Sequence, residues 1–93
     1  MKWDGPAAGR ILVAFEKLFG GGRGVRRHPR TNLRHVELEG GALLVEQSPR
    51  GAGEWAERAR AGRRVAWVVA RDGTPLARVN DGEITMLEPN DEG

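Results

Sequence analysis

The chain has 93 residues, enough for one domain and one core, and its 39% hydrophobic and 30% charged content is too apolar for a disordered polypeptide. It has no cysteine, which excludes disulfides, thiolate metal sites and a cysteine nucleophile. The formal net charge is only +2, yet residues 23–35 hold five arginines (Arg23, Arg26, Arg27, Arg30 and Arg34), two histidines and no acid, leaving ten basic against thirteen acidic residues elsewhere.

In chain order, the first predicted element is a helix over residues 6–19. Asp4 caps it, and Pro6 suits a first turn whose amide has no helical acceptor. Ala7, Ala8, Ile11, Leu12, Phe15, Leu18 and Phe19 recur at helical spacing as one apolar stripe. Gly9 weakens this helix by about 1 kcal/mol relative to alanine, and Gly20 stops it. Residues 20–32 open with GGGRG, contain Pro29 and read as a flexible Gly/Arg-rich connector.

Leu33–Glu39 and Ala42–Gln47 read as two strands of a hairpin joined by a two-residue Gly40-Gly41 turn. Ser48-Pro49 signals a helix start, Gly51 and Gly53 delay a firm helix until about residue 52, and this short helix ends at Gly62 with Ala52, Trp55, Ala56 and Ala59 as its inner stripe. Glu54 and Arg58 stand four apart on its outer side, the spacing of a weak ion pair. Trp3 and Trp55 are expected to anchor the core.

The last third reads as three strands, Arg64–Arg71, Pro75–Val79 and Glu83–Leu87, joined by Asp72-Gly73 and Asp81-Gly82. Asp-Gly supplies the positive φ angles of tight hairpins, so an antiparallel meander is predicted. Two-residue turns set Val69 opposite Leu76, Val68 opposite Ala77, Trp67 opposite Arg78 and Ala66 opposite Val79. Across the second turn they set Val79 opposite Ile84, Arg78 opposite Thr85 and Ala77 opposite Met86. Opposed residues share a face. One face is then Ala66, Val68, Ala70, Ala77, Val79, Ile84 and Met86, small enough for a helix to approach. The other is Val65, Trp67, Val69, Leu76, Arg78, Thr85 and Leu87. The fold expected is a single α+β domain over 1–93: N-terminal helix, β-hairpin, short helix, three-stranded antiparallel meander (αββαβββ). Residues 88–93 are expected to be a disordered acidic tail.

The apolar run Ile11–Phe15 is too short to span a bilayer and is flanked by charge, so no membrane partner is expected and the cytoplasm is the expected location. Candidate chemistry is sparse. Ser48, the sole serine, sits where a helix cap belongs. The GGGRG run lacks the Lys-Ser or Lys-Thr of a phosphate loop. His28 and His35, the two imidazoles of the chain, could form an acid–base pair for metal-independent RNA cleavage, but no third ligand type stands near them for a metal. No catalytic set, metal or cofactor is predicted.

Two binding surfaces stand out. Arg23, Arg26, Arg27, His28, Arg30 and Arg34 form a basic segment suited to an anionic partner, since guanidinium groups grip phosphate without reading sequence. Glu37, Glu39 and Glu46 are near enough in the chain to pair with these arginines instead. Trp67, Arg78, Thr85 and Leu87 mark a second surface, where an indole beside an arginine suits protein contacts. The function expected is a small non-enzymatic adaptor or regulatory domain acting through a protein partner or a second copy. Nucleic-acid binding through residues 23–35 is the alternative, and a small nuclease ranks third.

Overall fold

The computed structural model describes residues 6–49 and 52–87. Trp3, the Asp4 cap and the acidic tail at 88–93 lie outside the described residues. Helix α1 runs Pro6–Gly20. Its inner side is Ile11, Ala14, Phe15 and Leu18, all buried, with Leu12 and Phe19 packed at the margin. Ala14 joins the predicted stripe because it lies three residues beyond Ile11 and four before Leu18.

The sheet has six strands, each antiparallel to the next, in the order in which they occur along the chain. They are β1 (Val25–Arg27), β2 (Arg34–Glu37), β3 (Leu43–Val45), β4 (Val65–Val69), β5 (Pro75–Asn80) and β6 (Glu83–Met86). A second helix, α2 (Glu54–Arg60), connects β3 to β4. The α+β class and both helices match expectation, but the strand count is six rather than five. The added strand is β1, inside the segment expected to be a connector. Val25 opposes Val36 and joins the α1 core, while Arg26 and Arg27 keep their charges exposed. One apolar side chain in three suffices because β2 supplies the hydrogen-bonding partner.

Two turns depart from the predicted length. At Gly40-Gly41 the Leu38 amide donates to the Ala42 carbonyl at 2.8 Å, so three residues, Glu39–Gly41, form the loop. Gly41 has φ +85°, a left-handed conformation that favours glycine, while a Cβ there would meet only the exposed, movable guanidinium of Arg71. At Asp72-Gly73 the Ala70 amide donates to Thr74 at 2.8 Å and the Gly73 amide to Ala70 at 2.9 Å. The result is a three-residue loop ending in a left-handed glycine, the second commonest hairpin solution. A bulge between Val68 and Val69 then absorbs the extra residue. Val69 therefore pairs with Pro75 and not Leu76, and Leu76 packs against the α1 core instead of sharing a face with Trp67. Beyond the bulge the predicted pairs all form, and Asp81 and Gly82 both have positive φ, as the predicted two-residue turn requires.

The register draws two straight rows across all six strands. Val25–Val36–Leu44–Val68–Ala77–Met86 faces α1 and is wholly apolar. Arg26–His35–Val45–Trp67–Arg78–Thr85 lies on the opposite face, where α2 packs over β4. The helices thus take one face each. Among the described residues, no helix is long and apolar enough to cross a membrane.

Candidate functional site

Arg26, Trp67, Arg78 and Thr85, read from distant parts of the sequence as two separate surfaces, lie in one row on one face. The centre of that row is closed. Trp67 is 2% exposed beneath α2, and its neighbour Val65 is equally buried. The Arg78 guanidinium stacks on Trp55 of α2, 3.7 Å from the ring centre, and Arg58 approaches the same indole at 4.5 Å. The cationic partner expected for Trp67 is therefore held by Trp55, a residue that sequence reasoning assigned only to the core. Arg78 Nε is buried without a hydrogen-bond acceptor. Burial, and next the charge of Arg58, hold this guanidinium below its usual pKa, while Glu83 partly offsets them. Trp67 and Arg78 pin α2 to the sheet and offer no open contact surface. Thr85 is exposed at the β6 edge, and half-buried Leu87 is tied by its amide to the Leu76 carbonyl at 3.0 Å.

The basic segment divides differently. Arg27 and Arg34 oppose each other across β1 and β2 and have internal partners. Arg27 Nη1 donates to the Asn32 carbonyl at 2.8 Å. Arg34 donates its amide to Glu46 at 2.6 Å and its guanidinium to both Glu46 oxygens, at 3.0 Å for the shortest contact, while the same group lies 5.6 Å from the Phe19 ring centre. Burial raises the Glu46 pKa, but the hydrogen bonds and charge of Arg34, with help from Arg27, outweigh it and leave the carboxyl below its ordinary 4.5. Of the three glutamates considered as partners, Glu46 takes Arg34 and Glu39 pairs with Arg10 of α1.

His28 belongs to the β1–β2 turn. Its Nδ1 accepts the amides of Arg30 at 3.1 Å and Thr31 at 3.4 Å, which commits that nitrogen to holding the loop. His35 is half-buried beside Arg26 in the row. Arg23, Arg26 and Arg30 are exposed and form no ion pair among the described residues. These three, on and around the outermost strand, are the free cations of the segment.

A groove of about 500 Å³ lies between the outer flank of α1 and β2, floored by Val13, Ala14, Val36 and Leu38. It exists because β1 begins opposite Val36, so Glu37 and Leu38 have no strand on their β1 side. Among the described residues no group of three or more His, Asp or Glu is placed to hold a metal. Comparison with protein-family models, curated proteins and solved structures finds no match to this chain.

Proposed function

We propose that the chain is a non-enzymatic contact domain of the cytoplasm that engages protein partners by strand addition at the basic outer edge of its sheet. The observation that supports this most is the position of β1. Among the described residues it ends the sheet and nothing pairs with its outer side, and Arg26 on it and Arg23 and Arg30 in its flanks stand exposed without ion-pair partners. In strand addition the backbone supplies affinity and the flanking side chains choose the partner. Here the choice falls on acidic extended segments, because no acid lies between residues 23 and 36 to neutralise the arginines.

The test is a titration of the full chain with a fluorescent peptide of alternating glutamate and valine. Binding is expected to weaken with added salt and to drop in Arg26→Ala/Arg30→Ala. No binding at low salt overturns the reading. A second reading, nucleic-acid binding, is favoured by the same unpartnered guanidinium groups. In parallel titrations, tighter binding to single- or double-stranded oligonucleotides than to the peptide, with a steeper salt slope, decides for it.

A further inference from the structure

The two ends of the sheet carry opposite charge. Residues 23–36, which hold β1 and its flanks, contain Arg23, Arg26, Arg27, Arg30 and Arg34 and no acid. Residues 79–87, which hold β6 and its flanks, contain Asp81 and Glu83 and no Lys or Arg. β1 and β6 are both outermost strands. Six strands in strict alternation also mean that β1 and β6 run in opposite directions. A second copy placed beside the first in the same orientation therefore meets it with an antiparallel pair, and the α1 faces of the two sheets stay on the same side.

Resting on the strand-addition reading above, we propose that the partner is a second copy of this chain, joined head to tail with β1 of one copy against β6 of the next. Alternation fixes the register. Val25 is on the α1 face with Ile84, and Arg26 is on the opposite face with Glu83, as the pairing rows require. Setting Arg26 opposite the partner's Glu83 brings Val25 opposite the partner's Ile84, one pair of opposite charges and one apolar pair, each on its own face. Both Val25 and Ile84 are half-buried apolar residues at the margin of the core, so the junction extends the core of each copy. Contact of β1 with another β1 instead sets arginine against arginine, which selects the unlike edge.

The test uses the full-length chain in sedimentation velocity across a concentration series. The native protein is expected to show species above monomer that dissociate with added salt. Arg26→Glu alone and Glu83→Arg alone each put like charges across the junction and are expected to weaken association about tenfold. The double variant R26E/E83R restores an opposite pair and recovers association, as does mixing the two single variants. Both positions are exposed, and thermal melts confirm that each variant folds. A strict monomer at every concentration, single variants that associate like the native chain, or a double variant that stays dissociated each overturns the proposal. If the native chain is monomeric but still binds the acidic peptide, self-assembly fails and strand addition stands. If neither is seen, both fail.

Discussion

Replacing Glu46 with alanine removes the acceptor that holds Arg34. The carboxylate receives the Arg34 amide at 2.6 Å and two guanidinium donors, Nε at 3.3 Å and Nη2 at 3.0 Å. The two side chains are 26% and 18% exposed, so the pair sits between a surface bridge and a buried one. An exposed ion pair contributes roughly 0.2–1 kcal/mol. A hydrogen bond to a charged group contributes about 1.5–3 kcal/mol, and losing it leaves its donor unsatisfied. Since one of the three bonds here is a short backbone bond, Glu46→Ala is expected to cost about 2 kcal/mol. For a domain of this size that lowers Tm by about 8–16 °C. Urea and thermal unfolding at neutral pH measure it. The pH dependence carries a defined sign. The folded pKa of Glu46 lies below 4.5, so its contribution is complete above 4.5 and disappears as pH falls through the folded value. The stability gap between native protein and variant should therefore be full at neutral pH and close in acid. A loss under about 0.5 kcal/mol at neutral pH, or a gap that widens in acid, refutes the reasoning.

Trp67→Ala removes the largest fully buried side chain and is expected to cost about 3–5 kcal/mol, measured by urea unfolding, and to release α2. Gly9→Ala acts in the opposite direction. A Cβ at position 9 meets nothing within 4 Å, so the helix gains about 0.5–1 kcal/mol and the melt shifts upward. Gly82→Ala places a side chain at φ +91° in the β5–β6 turn, and a loss of about 1 kcal/mol is expected in the same assay.

The parts of the fold that were legible in the sequence rest on signals carried by a few adjacent residues. The Asp81-Gly82 pair specifies its turn because both residues can take positive φ, and the alternation on either side then fixes which residues oppose. Asp72-Gly73 carries the same dipeptide but closes a longer loop. The distinction lies in the bulge at Leu76, a tertiary adjustment that no local pattern announces. Strand β1 was hidden for a related reason. Val-Arg-Arg has little strand character alone, and it forms because Val25 finds a place in the α1 core and β2 offers an edge. Which helix covers which face was also unreadable, since both faces of β4 are apolar. Once α1 is placed on the alanine and valine side, Trp67 needs a roof and Trp55 supplies one. The role of Glu46 was visible as proximity in sequence, but its choice of Arg34 follows from register: the β2–β3 pairing sets Glu46 directly beside Arg34, whose carbonyl accepts the Glu46 amide at 3.3 Å, while Arg27 lies one strand further away.

If recognition falls to the rim of this sheet as proposed, the placement of the two helices accounts for it. Fifteen residues of α1 extend about 22 Å, and this helix packs chiefly over β2 and β3 on its own face. Seven residues of α2 extend only about 10 Å, or two strand spacings, and they sit over β4. The opposite face is therefore thick at its middle and thin toward β1, where Val45 and His35 are half-buried and Arg26 is exposed. A partner that arrives along this row meets a wall at Trp55 and Arg58 but free backbone at β1. The side chains that line its approach, Arg23, Arg26 and Arg30, form no ion pair among the described residues, while Glu46 holds Arg34 and Glu39 pairs with Arg10. Under the strand-addition proposal, geometry directs a partner to the edge and charge makes that partner acidic.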